Sequence, residues 1–301
     1  MPSILNLSII FLVLALSWQA QGFEDYQVDT KPLRDFEPLS SEYEKLHQKF
    51  QTQPLTISEH ERRVEILDYV LERQPNWLDG YWLHGSESFI LASSFPDEKD
   101  YPRAKSYLNA GLEKVQTCLE QDRGHMLCKF FLGSLLAKLS SIEGIFASLK
   151  HGKTIRDSFH EVTKAEYNLK FRPNVSLQGS AFYGLGLFYR LVPDVFLIDW
   201  IWGIRGNLEK SIALHKTASQ FDEYNPCSLL MLAVAQLCVH HEDESHPEFQ
   251  SAMINLQRAQ KIRPIDTPQE VCIQETFKIQ DNPSRTCGYT QAKYADQNEE
   301  N

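Results

Sequence analysis

The sequence predicts an all-α fold in which helical hairpins repeat along the chain. Apolar residues recur at helical spacing from about Ser41 to Arg263. Alternating β-branched runs, which indicate strands, are nearly missing. Four small residues in comparable apolar contexts, Gly85, Gly133, Gly186 and Ala235, are separated by 48, 53 and 49 residues. Such a recurrence at a nearly constant interval indicates a repeating structural unit.

The composition is that of a globular protein. The chain has 301 residues, of which 42% are hydrophobic and 23% are charged, with a formal net charge of −10. This mixture excludes a largely disordered or fibrous chain. The acidic balance argues against nucleic acid as a partner, because phosphate binding needs clustered lysine and arginine.

The N-terminal segment has the pattern of an export signal. Residues 1–22 contain no Asp, Glu, Lys or Arg, and they include an apolar run of about 15 residues that ends at Trp18. Ala20 and Gly22 form a small-residue cleavage site. The sequence therefore predicts a signal peptide over 1–22 and an exported protein, periplasmic or secreted. An uncleaved N-terminal anchor is the alternative. A polar segment over 23–40 follows the predicted cleavage site.

The second helix of each predicted hairpin carries a short packing pattern. Its clearest copy is Ala252, Leu256, Ala259 and Pro264, with spacings of 4, 3 and 5 residues. This order of small, bulky, small and proline residues resembles the tetratricopeptide consensus. Small residues on one face let the partner helix approach closely, and proline ends the helix. Weaker copies begin at Ala104, Ser158 and Ser211.

The first helix of each hairpin carries the matching half of the consensus. Phe182, Leu185-Gly186 and Tyr189 occupy its aromatic, Leu-Gly and Tyr positions, and Leu132-Gly133 is a partial copy. Standard tetratricopeptide repeats have about 34 residues, fewer than the intervals in this chain. The resemblance therefore implies a tetratricopeptide-like helical hairpin array with enlarged hairpins over residues 41–264.

In such arrays the first helices line a concave groove. Fixed offsets from the small-residue positions predict the lining of this groove, which is mostly apolar and aromatic. The predicted groove residues are Trp82, Phe89, Phe130, Tyr183, Leu187 and Arg190. A groove of this character suits an apolar ligand or a hydrophobic segment of a partner. The alternative is that long hairpin insertions fill the groove and make these residues part of the core.

The most hydrophobic segment after residue 22 is an insertion, residues 192–204. It contains Phe196, Trp200 and Trp202 between a proline and a glycine. We expect it to act as a lid over the groove or as an interface with a partner or a second copy. The alternative is that it packs into the enlarged hairpin.

The six cysteines fit structural disulfides in an oxidising compartment, and no C-x-x-C motif occurs. Cys118 and Cys128 flank a predicted turn between two helices, so they are candidates for a bond across it. Cys227 and Cys238 are eleven residues apart on one predicted helix, roughly 16 Å along its axis, too far to pair with each other.

The C-terminal residues 265–301 lack a helical period and are predicted to be an irregular tail. Cys272 and Cys287 lie in this tail. They are predicted to pair together or to tie the tail to the last helices of the array.

The sequence contains no catalytic signature of the hydrolase, nucleotide-binding or Cys-His type. The hypothesis of a metal-dependent enzyme rests on His240, His241 and His246, since zinc accepts histidine and carboxylate ligands. These residues fall between two predicted helices and lack a second ligand pair at fixed spacing. The sequence therefore predicts a non-catalytic protein with no cofactor and no metal site.

One part of the chain resembles a more particular family. Leu185–Pro193, Gly203–Gly206 and Asn207–Ile212, followed by Ala218, are similar to segments of the T-component proteins associated with tripartite ATP-independent periplasmic (TRAP) transporters. The resemblance implies an accessory role in TRAP-type uptake, with a periplasmic substrate-binding protein as partner and an apolar small molecule as a further ligand. A general envelope scaffold or assembly factor is the alternative, and a homo-oligomer is compatible with either.

Overall fold

The computed structural model describes residues 23–289, apart from the side chains of residues 145–147, 267 and 285. The predicted signal peptide over 1–22 and the chain after residue 289 lie outside this range. Helices dominate the described residues, and the prediction of an all-α helical repeat array is confirmed.

The helices follow one another with short connections, except that residues 163–176 separate α7 from α8. They are α1 (Lys31–Arg34), α2 (Leu39–Thr52), α3 (Ile57–Arg73), α4 (Leu78–Ser93), α5 (Tyr101–Gln121), α6 (Met126–Glu143), α7 (Ile145–Val162), α8 (Leu177–Leu191), α9 (Phe196–Trp202), α10 (Leu208–Phe221), α11 (Pro226–His240), α12 (Pro247–Gln260) and α13 (Thr267–Asp281). Short 3-10 turns lie at Glu98–Asp100 and Pro283–Arg285.

Consecutive helices pack as four hairpins. The pairs are α4 with α5, α6 with α7, α8 with α10, and α11 with α12. Helix α3 packs on α4 at the N-terminal side, and α13 packs on α11 and α12 at the C-terminal side. Helix α9 is an insertion within the third hairpin, and it contacts α7 of the second. The hairpins thus form a linear array with a helix packed at each end.

Two of the recurring small residues, Gly85 and Gly186, lie at close contacts between the two helices of a hairpin. A Cβ added to Gly85 would lie 2.7 Å from Val115 Cγ1, and one added to Gly186 would lie 2.6 Å from His215 Nε2. Since carbon atoms in contact need about 3.5 Å, a larger residue at either position would push the hairpin apart. The small residues of the second helices, such as Ala104 and Ala252, are likewise fully buried.

Short strands lie outside the hairpins. β1 (Glu24–Asp25) pairs in parallel with β2 (Tyr167–Asn168), and β3 (Lys170–Arg172) pairs antiparallel with β4 (Val175–Ser176). The N-terminal polar segment is therefore attached to the connection between α7 and α8.

The predicted boundaries differ from the structure at both ends of the array. Helix α2 begins at Leu39, within the predicted polar segment 23–40. The prediction of an irregular tail is wrong over Thr267–Asp281, which form α13. Asp266 caps this helix by accepting a hydrogen bond from the Gln269 N–H at 2.8 Å. This capping signal is present in the sequence and indicates a helix start.

Three disulfides connect the helices. Cys118–Cys128 joins the end of α5 to the start of α6. Two bonds connect α11 to the C-terminal segment, namely Cys227–Cys272 and Cys238–Cys287. Of the two alternatives for the last cysteines, the structure has the one that ties the tail to the array. Within residues 23–289, no helix is both long and apolar enough to cross a membrane.

A buried carboxylate holds the start of α8 against the end of α10. Asp222 accepts a hydrogen bond from the Ser176 N–H at 3.0 Å and lies against Gly179, where a Cβ would overlap it. Burial raises the pKa of Asp222 to about 6, although hydrogen bonds from Ser176 act in the opposite direction. This pKa lies above the unfolded value of about 4. The contribution of Asp222 to stability is therefore fully present below a pH of about 4, and it is lost as the pH rises through about 6.

Asp222→Asn is expected to remove this pH dependence and to raise the free energy of unfolding at pH 7.5 by about 1–3 kcal/mol. The asparagine oxygen still accepts from Ser176 without burying a charge. Urea unfolding between pH 4 and 8 measures the effect. Asp122→Asn, at the corresponding position after α5, is the control. An Asp222→Asn profile parallel to that of the wild type would contradict this account.

Candidate functional site

The predicted groove residues of the first two hairpins lie in the interior. Trp82 is 3% exposed, and its ring stacks on Phe131 with centroids 5.9 Å apart. The indole N–H donates to Asp79 Oδ1 at 2.7 Å. Phe130 is also buried, and Phe89 is half-buried against the same core. These aromatic side chains are therefore core residues in the described chain.

The connection between α7 and α8 supplies the side chains that cover them. The Phe171 ring lies 6.3 Å from the ring of Trp82 and 5.6 Å from that of Phe130, between centroids. The next residue, Arg172, donates from Nη2 to the Phe50 carbonyl at 2.6 Å and pairs with Asp266. Arg172 thus connects the end of α2 with the start of α13.

The C-terminal segment covers the predicted groove residues of the third hairpin. Arg190 is buried, and its Nη1 contacts the carbonyl oxygens of Thr286 at 3.5 Å and Cys287 at 3.4 Å. Tyr183 and Leu187 pack against the core cluster that contains the fully buried Tyr289. The chain itself thus occupies the predicted groove. The connection between α7 and α8 does so at the first two hairpins, as the alternative of hairpin insertions expects, whereas the C-terminal segment does so at the third.

The predicted lid residues lie on the surface instead. Phe196 is 74% exposed and Trp200 is 75% exposed. Further exposed apolar side chains surround them on the same short segment. Together they form the aromatic patch, which consists of Leu191, Val195, Phe196, Leu197, Trp200, Ile201 and Trp202. The insertion packs onto the array only in part, since Ile198 is half-buried against the core and Ile204 is fully buried.

The base that carries the aromatic patch is firmly attached to the array. Ile204 is fully buried against Gly152 of α7, where a Cβ would overlap its side chain. Arg156 of α7 donates from Nη1 to the Gly203 carbonyl at 2.6 Å. Gly203 has φ of 64°, a left-handed conformation that ends α9. The exposed side chains are therefore presented on a fixed helix.

The arrangement of the patch matches a helix that inserts into a groove. Phe196 and Trp200 are four residues apart, as are Leu197 and Ile201, so each pair lies on one side of α9. Apolar anchors at this spacing are typical of helix-in-groove recognition. Asp199 lies between them in the sequence, which gives the patch an acidic neighbour.

The three histidines of the metal hypothesis have other roles in the structure. His246 accepts from the Glu248 N–H at 3.2 Å and caps α12. The His240 ring stacks on that of His246, with centroids 3.8 Å apart. His241 Nδ1 lies 3.2 Å from the Leu237 carbonyl oxygen. The capping bond occupies Nδ1 of His246, which argues against a metal site at these residues.

Another group of metal-ligand types, Cys118, His125 and Cys128, lies close together. Its two cysteines form a disulfide, so neither sulfur is a thiolate ligand. His125 Nδ1 accepts from the Cys128 N–H at 3.3 Å and caps α6. This group is therefore structural.

No family model matches the chain, and no curated protein matches its sequence. Its fold is a helical repeat array. Among solved structures, a thermophilic TPR protein of Thermus thermophilus is similar, with a TM-score of 0.48 and 12% sequence identity. The match covers 80% of this chain and 99% of that chain. The packing of the hairpins establishes the array, and the T-component resemblance rests on the sequence motifs alone.

Proposed function

We propose that this protein is a non-catalytic interaction protein that binds a partner protein through the aromatic patch of α9. The observation that supports this most strongly is the exposure of Phe196 and Trp200 on a fixed helix. Exposed contiguous apolar surface of this kind marks interaction sites, and tryptophan and other aromatic residues contribute most to interface energies.

The character of the patch suggests the chemistry of the partner surface. Small apolar ligands bind in concave sites, whereas the side chains of the aromatic patch are exposed to solvent. Asp194 and Asp199 lie beside them, and Asp194 pairs with Arg205. The partner surface that fits is an apolar groove bordered by lysine or arginine.

The residues that resemble the T-component family connect the two chain segments on either side of α9. The Gly206 N–H donates to the Pro193 carbonyl at 3.3 Å, and the Asn207 N–H donates to the Tyr189 carbonyl at 2.8 Å. On this basis we propose that the chain is exported and that its partner is the substrate-binding protein of a TRAP-type uptake system. An envelope scaffold that uses the same patch for another partner is the second candidate. The three disulfides favour an oxidising compartment for either.

Trp200→Ser is expected to reduce co-purification of the partner at least tenfold, because loss of a central aromatic anchor costs about 2 kcal/mol or more. The measurement is quantitative mass spectrometry of proteins retained by the full-length tagged chain from cells of its source. Tyr224→Ser is the matched control, since Tyr224 is an exposed aromatic residue outside the patch, with 67% exposure.

Two results would contradict the proposal. Equal recovery of every protein with Trp200→Ser and wild type would exclude the patch as the binding surface. Recovery of a second copy of the chain alone, lost in Trp200→Ser, would make the patch a homo-oligomer interface.

A further inference from the structure

Arg190 is a buried cation without a carboxylate partner among the described residues. Burial lowers the pKa of its guanidinium to about 10, although nearby Tyr183 and Tyr289 act in the opposite direction. Its bonds to the carbonyls of Thr286 and Cys287 are long, at 3.5 and 3.4 Å, and its Nε has no hydrogen-bond partner. A buried charge is costly without a counter-ion. The surroundings of Arg190 are therefore incomplete for a structural arginine.

His215 is a second unsatisfied polar group beside it. Its side chain is fully buried, and neither ring nitrogen has a hydrogen-bond partner. The His215 ring packs edge-on against Tyr183, with centroids 5.6 Å apart. Burial, and then the charge of Arg190, lower the pKa of His215 to about 3, so the ring is neutral. Two buried polar side chains with unused hydrogen-bonding atoms thus lie near one aromatic residue.

The surface above Arg190 is occupied by a short non-helical segment of the same chain. Thr286 and Tyr289 of this segment are fully buried, and the Cys238–Cys287 disulfide attaches it to α11. The segment contributes two backbone carbonyls and one aromatic side chain to the interface. Helical repeat arrays use such surfaces to bind segments of other proteins.

The Met231 sulfur lies 4.0 Å from Arg190 Nη2. We propose that Tyr183, Arg190 and Met231 form a peptide-binding site that the chain's own residues 286–289 occupy, and that a partner segment with an aromatic side chain beside a carboxylate can replace them. A carboxylate makes paired, charge-assisted bonds to a guanidinium, which the two carbonyls do not. The aromatic side chain takes the place of Tyr289. This site is distinct from the aromatic patch, which α9 carries.

The test uses the full-length chain with its tail released. Cys238→Ser combined with Cys287→Ser removes the covalent attachment. The probe is a fluorescent peptide that copies residues 283–289, with serine in place of Cys287 and a free carboxylate at its tyrosine. We expect this peptide to bind the double variant at least tenfold more tightly than the disulfide-bonded wild type, by fluorescence anisotropy. Adding Arg190→Gln should abolish the gain, whereas Arg258→Gln, an exposed arginine on α12, should preserve it.

Two further arms keep the test decisive. If the double variant does not fold, as judged by circular dichroism, Tyr289→Ala with the disulfide intact replaces it, with the same expectation. The same peptide with a C-terminal amide should bind at least tenfold more weakly than the free acid. A second amidated peptide carries glutamate after the tyrosine. Recovery of binding by this peptide would show that a side-chain carboxylate can also pair with Arg190. No peptide binding by either folded variant, or binding insensitive to Arg190→Gln, would overturn the proposal. Equal binding of the free acid and the plain amide would overturn the proposed pairing of Arg190 with a carboxylate of the partner segment.

Discussion

Arg63→Ala is expected to lower the free energy of unfolding by about 3–5 kcal/mol, whereas Arg62→Ala should lower it by less than about 1 kcal/mol. The side chain of Arg63 is 2% exposed, and its Nη1 lies 2.8 Å from Glu87 Oε1. The other Glu87 oxygen lies 2.6 Å from His60 Nδ1. Removal of Arg63 leaves the Glu87 carboxylate buried without its main counter-ion. Arg62 pairs with Glu42 at the surface and is 41% exposed, so water replaces its contacts.

The ion pair of Arg63 and Glu87 also determines how the free energy of unfolding changes with pH. Burial raises the pKa of Glu87, but the charge of Arg63 and the hydrogen bond to His60 outweigh it and hold that pKa below its usual value. The contribution of Glu87 to stability is therefore present above the unfolded pKa of about 4.3 and is lost as the pH falls through the lower folded value. Urea unfolding of both variants between pH 3 and 7 measures this. Equal stability of Arg62→Ala and Arg63→Ala at pH 7 would contradict the account.

Trp82→Ala is expected to cost about 3–5 kcal/mol of stability, whereas Trp200→Ala should change stability by less than about 0.5 kcal/mol. The Trp82 substitution removes the stacking on Phe131 and leaves a cavity between α4 and the β3 strand. It also removes a hydrogen bond to the buried Asp79. Trp200 loses contacts mainly with solvent, because three quarters of its surface is exposed.

Thermal unfolding followed by circular dichroism compares these two tryptophan variants. At roughly 2–4 °C per kcal/mol for a chain of this size, Trp82→Ala should unfold about 6–20 °C below the wild type. Trp200→Ala should unfold within about 2 °C of it. A Trp82→Ala variant as stable as the wild type would contradict this account. It would mean that the predicted groove beside Trp82 is open to solvent.

The hairpin array is predictable from the sequence because its determinants are local. Gly85 and Gly186 mark close helix contacts within single hairpins, and the spacing of Ala252, Leu256 and Ala259 places one buried stripe on one helix. Such patterns depend on residues within one hairpin, so they can be recognised in the sequence without knowledge of the overall fold.

The filling of the groove is not predictable in this way because it depends on distant residues. Phe171 packs on Trp82 although 89 positions separate them in the chain. Tyr289 belongs to the core cluster of α11 and α12, and two disulfides attach the C-terminal segment to α11. Neither residue belongs to the periodic pattern of a helix, so no spacing in the sequence indicated these contacts.

The aromatic patch is predictable in composition but not in exposure. The run from Phe196 to Trp202 is hydrophobic in the sequence, and this pattern is compatible with a buried or an exposed insertion. The aromatic side chains are exposed, while the contact of Ile204 with Gly152 attaches the end of the insertion to α7. That contact joins two hairpins and has no local signal.

Site-specific photo-crosslinking in living cells tests the central claim most directly. A photoreactive phenylalanine derivative replaces Trp200 in one strain and Tyr224, the exposed control outside the patch, in another. We expect position 200 to give a covalent product with one other protein, and position 224 to give none. Equal products from both positions, no product from position 200, or a product made of two copies of this chain would contradict partner binding through the patch.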